Sequence, residues 1–165
     1  MKKCLLLFLL LCIGLYANSQ TQDTIQKYIS FNTAIISSAG PLDENISNTL
    51  EFGKQWDGVF SLGISFGQIS KDLYNEIRPN LNVFQVGRFV NTFTPGLGYI
   101  YHSNMPVLIE FTTGIEYSWT NTIHLNIQFG QYYFSGKSNQ NSNVFIGLSI
   151  AKFFNNYKQN ALLSR

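Results

Sequence analysis

Apolar and non-apolar residues alternate strictly along several segments of this chain. The clearest segment spans residues 59–67, where Phe, Leu, Ile and Phe alternate with Ser, Gly, Ser and Gly. Residues 122–133 and 146–151 repeat the pattern. Because successive side chains of a β-strand point to opposite faces, each segment is predicted to form a strand with one apolar and one non-apolar face.

Eight such segments follow one another along the chain. We place them at residues 28–37, 46–56, 59–69, 71–83, 89–102, 107–118, 122–134 and 143–154. Turn-forming residues separate most of them, and the break at Ser70 and Lys71 is the least marked. Most segments reach the roughly 9–11 residues that a tilted strand needs to cross a membrane. No repeat, linker or charge block indicates a second domain in the 165 residues.

The direction of the apolar face separates two architectures. A soluble, lipocalin-like barrel would turn its apolar side chains inward, whereas a membrane barrel would turn them outward. The non-apolar face is mostly Gly, Ser, Thr, Asn and Gln, and only 12% of residues are charged, against about 25% in soluble domains. Such a face is suited to a hydrogen-bonded barrel interior. In lipid, a closed barrel also gives every backbone N–H and C=O group a hydrogen-bond partner. The predicted fold class is therefore all-β: an eight-stranded antiparallel up-and-down transmembrane β-barrel.

The N-terminus has the pattern of a secretory signal peptide. Lys2 and Lys3 precede an apolar stretch at residues 4–16, and Ala17 and Ser19 offer small residues for cleavage after residue 19. The predicted organisation is a cleaved signal peptide at 1–19, a lead at 20–27, the barrel at 28–154 and a short periplasmic tail at 155–165.

Cleavage would also change the chemistry of the chain. Cys4 and Cys12 would leave with the signal peptide, so the mature protein would have no disulfide or cysteine-ligated metal. Removal of two lysines leaves nine basic and nine acidic residues, and this balance argues against a nucleic-acid partner. The remaining sequence has no metal-ligand spacing or phosphate loop, so we expect no cofactor.

Aromatic residues occur at the ends of the predicted strands. Trp56 and Trp119 lie beside short turns on one side of the barrel, and Tyr101 and Tyr133 lie near the opposite ends of their strands. Aromatic residues are good strand formers anywhere in a sheet. Their position at strand ends is typical of the girdles of membrane barrels, so we expect these residues at the membrane interfaces.

The segments at 60–67 and 143–154 resemble the small eight-stranded outer-membrane β-barrel proteins of Gram-negative bacteria, the OmpA/OmpX-like barrels. The resemblance covers about residues 28–154. It implies a location in the bacterial outer membrane, contact with outer-membrane lipid, and assembly by the outer-membrane barrel assembly machinery, which reads a terminal aromatic residue, here Phe154. Eleven residues follow Phe154, whereas many members of the family end there. The family includes structural anchors, adhesion proteins and lipid-modifying enzymes, so the resemblance does not choose a function.

Periplasmic termini would orient the barrel. The predicted periplasmic turns are 57–58, 84–88 and 119–121, and the predicted outward loops are 38–45, 70–71, 103–106 and 135–142. Members of the family have short turns on the periplasmic side and longer loops on the extracellular side. Of the predicted outward loops, only the first and the last follow this rule. These loops are too modest for a large adhesive surface.

Three functions remain open on the sequence alone. The first is a non-enzymatic, monomeric barrel with a structural or surface-interaction role and an unidentified extracellular ligand. The second is a lipid-modifying enzyme of the lipid A deacylase type, for which His102 and Ser103 are the candidates. In those enzymes His and Ser are two residues apart on one strand face, whereas here they are adjacent and would point to opposite faces. The third is a small pore or ligand-binding barrel, although eight strands leave room for little more than side chains.

Charged residues at inward positions predict a network inside the barrel. The candidates are Glu76, Arg78, Glu110, Glu116 and His124. Counting from the turns places Arg78 beside Thr94, Thr94 near Glu116, and Glu116 opposite His124. We therefore expect Arg78, Glu116 and His124 at about one height along the barrel axis, in the periplasmic half. Glu76 should lie beside Gly96, and both Glu76 and Glu110 should lie further from the periplasmic end. Arg78 should then have a carboxylate within hydrogen-bonding distance. The alternative is that barrel stagger separates these levels and each group is hydrated.

The opposite positions predict the lipid-facing surface. Leu62, Ile64, Ile127 and Leu148 are expected near the middle of the bilayer. Lys152 falls on the same face close to the periplasmic end, where its long stem can reach the interface.

Overall fold

The computed structural model describes residues 25–37, 46–135 and 142–155. The predicted signal peptide, most of the lead, the outward loops at 38–45 and 136–141, and the tail from residue 156 lie outside the described residues. The strands are β1 (Ile25–Ile36), β2 (Ile46–Trp56), β3 (Phe60–Ile69), β4 (Asp72–Val86), β5 (Phe89–Ile100), β6 (Val107–Ser118), β7 (Ile123–Phe134) and β8 (Ser142–Asn155). No helix within the described ranges is long and apolar enough to cross a membrane.

The strands form one closed barrel. Each strand pairs antiparallel with the next, and β8 pairs with β1, so the predicted fold class is confirmed. The strand ends differ from the prediction by a few residues. Strand β1 begins at Ile25 rather than residue 28, β4 continues to Val86 rather than ending at 83, and β5 ends at Ile100 rather than at 102.

The barrel is strongly staggered. A row of paired residues that starts at Phe89 on β5 and is followed once around the barrel returns to β5 at Tyr99, ten residues further along. With this stagger, eight strands tilt by about 40° and each residue rises about 2.5 Å along the barrel axis. Residues opposite one another on neighbouring strands therefore differ in height by about 3 Å.

The two faces of the sheet have opposite chemistry. The predicted lipid-facing residues Leu62, Ile64, Ile127 and Leu148 lie on the outer face with exposed fractions of 41–58%. The inner face carries buried Ser, Thr, Asn, Gln, Glu and Arg side chains. This arrangement is the reverse of a lipocalin-like barrel and places the polar side chains of the strands mainly inside the protein.

The two ends of the barrel also differ. We call the end with the connections 70–71 and 101–106 the loop end, and the end with the turns 57–59, 87–88 and 119–122 the turn end. At the loop end, apolar side chains fill the interior and form what we call the apolar cap: Ala34, Ile36, Ile69, Tyr74, Ile100, Leu108, Tyr132, Phe134 and Phe145. The polar interior lies between this cap and the turn end.

The β4–β5 hairpin differs from its predicted register. The turn is formed by Gly87 and Arg88 alone, and Gly87 has a positive φ of 58°. A β-bulge between Asn82 and Phe84 then shifts the pairing. Glu76 consequently faces Gly98 rather than Gly96.

The next two hairpins are also displaced. Thr94 faces Thr112 instead of lying near Glu116, because the β5–β6 connection is centred on residue 103 and is closed by a 2.7 Å hydrogen bond from Ile100 N to Pro106 O. The prediction had centred this connection two residues later. Glu116 faces Asn126 rather than His124.

Candidate functional site: the barrel interior

Arg78 is the centre of a charged cluster inside the barrel. Its Nη1 donates to Glu51 Oε2 at 2.8 Å and its Nη2 donates to Glu110 Oε1 at 2.8 Å. Its Nε lies 3.9 Å from Glu76 Oε2. The side chains of all four residues are at most 10% exposed. Carboxyl groups from β2, β4 and β6 thus surround one guanidinium of β4.

Two glycines make room for this cluster. Gly63 pairs directly with Arg78 across β3 and β4, and Gly96 of β5 occupies the corresponding position on the other side. A Cβ atom at Gly63 would lie 2.3 Å from Glu51 Oε1, and a Cβ at Gly96 would lie 1.9 Å from Glu76 Oε1. Because both neighbouring strands lack a side chain here, the carboxyl groups can approach Arg78 across them.

Hydroxyl groups extend the cluster along the interior. Tyr28 donates to Glu51 Oε1 at 2.5 Å, and Thr112 donates to Glu110 Oε1 at 2.5 Å. Tyr74 Oη lies 2.6 Å from Thr49 Oγ1, on the loop side of the cluster. Arg78 is therefore held by carboxylates that themselves accept hydrogen bonds, Glu51 from Tyr28 of the neighbouring β1 and Glu110 from Thr112 of its own strand.

Glu76 is the least satisfied member of the cluster. Its side chain is 1% exposed, and neither carboxylate oxygen has a hydrogen-bond partner among the described residues. Arg78, the cation 3.9 Å away, already donates to two other carboxylates at shorter distance. Arg78 thus holds Glu51 and Glu110 firmly and Glu76 only weakly.

Glu116 and His124 form a second and separate pair. His124 Nδ1 lies 2.7 Å from Glu116 Oε1, and the imidazole packs on Phe153 with ring centroids 4.5 Å apart. The expectation that this pair shares a level with Arg78 is wrong. Glu116 lies six residues beyond Glu110 on β6, about 15 Å nearer the turn end than Glu110 and, after the stagger of two strands, about 9 Å nearer it than Arg78.

The residue that sequence reasoning missed is Glu51. It lies at an inward position of β2 between Leu50 and Phe52 of the outer face, so the alternation alone indicates its direction. The predicted network considered inward positions of β4 to β7 only. Nothing local to β2 indicates that Glu51 meets Arg78, because that contact depends on the register of β2, β3 and β4.

Comparison with known proteins gives structural relatives only. No protein-family model and no curated protein sequence matches the chain. The N-terminal β-barrel domain of Pseudomonas aeruginosa OprF matches with a TM-score of 0.63 at 12% identity, covering 81% of this chain and 100% of that one. Neisserial surface protein A matches with a TM-score of 0.51 at 9% identity, covering 79% and 97%. The de novo designed barrel TMB2.3 matches with a TM-score of 0.57 at 13% identity, covering 81% and 96%.

This chain has the fold of the small eight-stranded outer-membrane β-barrels. At these identities the likeness concerns the fold and not the activity.

In this outer-membrane barrel fold, the aromatic residues singled out above lie at the two ends of the outer face. At the turn end, Trp56 stacks on Phe60 with centroids 5.6 Å apart, and Trp119 and Phe154 are more than half exposed. At the loop end, Tyr101 and Tyr133 are 44% and 41% exposed. Tyr101 lies just beyond the end of β5 rather than within it.

His102 and Ser103 lie in the turn after β5 and not on a barrel strand. His102 has a positive φ of 59°, and Ser103 Oγ accepts a hydrogen bond from Met105 N at 3.1 Å. Ser103 therefore supports the turn. Among the described residues, no group of three or more His, Cys, Asp or Glu side chains is placed to hold a metal ion.

The space left inside the outer-membrane barrel fold is small. A cavity of about 50 Å³ lies beside Arg78, Glu51 and Gln128, and a second of about 10 Å³ lies beside Tyr74 and Tyr132. Arg78 and Gln128 line both cavities, so the first has room for a few hydrogen-bonded water molecules and the second for about one at most.

Proposed function

We propose that this protein is a non-enzymatic, monomeric outer-membrane barrel with a structural or surface-interaction role. The observation that carries the proposal is the opposite chemistry of the two faces. Apolar side chains cover the outside, and the charged cluster around Arg78 lies inside. In lipid this arrangement buries apolar surface outside and satisfies polar groups inside.

The proposal includes a secretory route and a membrane orientation. Residues 1–19 direct export and are removed, and the barrel assembly machinery inserts the mature chain. The turn end faces the periplasm and the loop end faces outward. The short connections at the turn end support this orientation, because membrane barrels have short periplasmic turns.

The proposed barrel is closed to solutes. The apolar cap supports this part of the proposal, because Ile36, Ile69, Ile100 and Leu108 are at most 2% exposed. Below the cap, Arg78 and its carboxylates cross the interior. We expect no single-channel steps in planar bilayers, and steady conductance would contradict a closed interior.

Membrane fractionation and electrophoresis test the proposal as a whole. We expect the protein in the outer-membrane fraction, with a mobility in detergent that changes on boiling, because folded membrane barrels resist unfolding at room temperature. A soluble protein whose electrophoretic mobility is the same with and without boiling would refute the proposal. Lipid A mass spectra from cells with and without the gene test the non-enzymatic part, and we expect them to be identical.

A further inference from the structure

Three lysines lie together on the outer face near the turn end. Lys27 of β1 pairs directly with Lys54 of β2, and Lys152 of β8 pairs with Ile29, two residues from Lys27. Directly opposed side chains have Cβ atoms about 5 Å apart, and diagonal neighbours about 7–8 Å apart. We call Lys27, Lys54 and Lys152 the lysine cluster; their flexible side chains start close enough together to turn toward one anion.

No glutamate of the described residues shares the outer face with the lysine cluster, and the described aspartate at the turn end, Asp57, lies in the turn after β2 rather than on a strand. All four described glutamates, at positions 51, 76, 110 and 116, are buried in the interior. Within the described ranges, no hydrogen bond or ion pair involves Lys27 or Lys54, and Lys152 Nζ lies 3.4 Å from Thr122 Oγ1. Like charges directly opposite one another destabilise a sheet pair, so this arrangement calls for an anion from outside the protein.

The surroundings of the lysine cluster are those of a membrane interface. Phe154 pairs with Lys27, Leu62 pairs with Lys54, and Trp56 lies two residues beyond Lys54 on the same face. The lysines therefore emerge from apolar surface just inside the aromatic residues of the turn end. Lysine stems in such positions lie along apolar surface and carry the ammonium group to the level of the lipid headgroups.

We propose that the lysine cluster binds the phosphate of an anionic phospholipid headgroup in the leaflet at the turn end of the barrel. The phosphate oxygens accept hydrogen bonds from Lys27 and Lys54, and Lys152 supplies a third positive charge. This inference rests on the proposed function, because it requires the outer face to lie in lipid. A free phosphate ion offers the same oxygens, and the test below separates the two sources.

The test uses Trp56 as a local reporter. The chain has two tryptophans, and Trp119→Phe leaves Trp56 alone, two residues from Lys54. The protein is inserted into phosphatidylcholine vesicles that contain a small fraction of phosphatidylglycerol or phosphatidylcholine with brominated acyl chains. We expect brominated phosphatidylglycerol to quench Trp56 more strongly at the same mole fraction. A lysine near an anionic surface is worth about fivefold in affinity, so Lys54→Gln should reduce this preference about fivefold.

The controls separate this site from general charge attraction. Lys27→Gln should act as Lys54→Gln does, and the variant with all three lysines changed to Gln should lose the preference. Lys71→Gln, at the loop end, should keep the preference for phosphatidylglycerol. All these variants keep the interior intact, and a boiling-dependent electrophoretic mobility verifies that each one folds.

Each contrary result has a distinct meaning. Equal quenching by the two lipids, or a preference that survives the triple substitution, would overturn the inference and leave the proposed function standing. Loss of the preference on addition of millimolar inorganic phosphate would assign the cluster to a free ion and overturn the lipid assignment. Quenching by neither lipid would show that Trp56 is not in a bilayer, which overturns the proposed function itself.

Discussion

Replacing Arg78 with Ala tests the energetic role of the interior cluster. The change removes two 2.8 Å charged hydrogen bonds and leaves Glu51 and Glu110 without their cation, where their side chains are at most 10% exposed. Breaking a buried ion pair by removing one partner costs about 3–5 kcal/mol. We expect Arg78→Ala to lower the free energy of unfolding by that amount, without changing the strand content of the folded protein.

Glu76→Gln is the matched control for this experiment. Glu76 is as deeply buried as its neighbours, but its carboxylate oxygens have no hydrogen-bond partner among the described residues. Removing its charge relieves repulsion with Glu110 and costs no hydrogen bond to Arg78. We therefore expect Glu76→Gln to leave the stability within about 1 kcal/mol of the parent or to raise it.

The assay is urea-induced unfolding in detergent micelles, followed by the fluorescence of Trp56 and Trp119 and by electrophoretic mobility. The double variant with Arg78→Ala and Glu110→Gln should recover part of the loss, because one stranded charge is removed with the cation. The reasoning is refuted if Arg78→Ala changes stability by less than about 0.5 kcal/mol, or if Glu76→Gln costs as much as Arg78→Ala. Either result would mean that water satisfies the interior charges.

Three further changes examine other parts of the barrel. Gly96→Val should lower the yield of the boiling-sensitive form in refolding assays, because a side chain there would displace the buried Glu76 carboxylate and crowd Glu110 Cβ. Ile64→Arg, on the outer face, should cost roughly 2–4 kcal/mol when folding is measured in lipid vesicles, whereas Asn121→Arg in an exposed turn should be nearly neutral. His124→Ala should cost about 1.5–3 kcal/mol in the urea-unfolding assay, less than Arg78→Ala, because it removes one hydrogen bond to a carboxylate rather than two. A loss equal to that of Arg78→Ala would contradict the separation of the two groups.

Much of the fold follows from local pattern. The alternation from Phe60 to Gly67 repeats, with variations, in the other segments, and each repeat settles which side chains share a face of its strand. The number of strands follows from this period, and their antiparallel order follows from the short connections between most of them. The chemistry of the two faces then decides between a soluble and a membrane barrel.

The contacts inside the barrel do not follow from local pattern. The register of each strand pair depends on the length of the turn between the two strands. An error in the predicted centre of one turn therefore adds to the errors at the turns that follow. The two-residue turn at Gly87 and the bulge after Asn82 shift β5 by two residues against β4, and the turn centred on Ser103 shifts β6 by four against β5.

The sequence by itself determined that Arg78 and Glu51 face the interior, because the side-chain period is a property of one strand. Only the closed barrel decided that they meet, and that the pair of Glu116 and His124 lies nearer the turn end than Arg78 does. The ten-residue stagger is a property of all eight strands and their turns together, and no single segment of the sequence contains it.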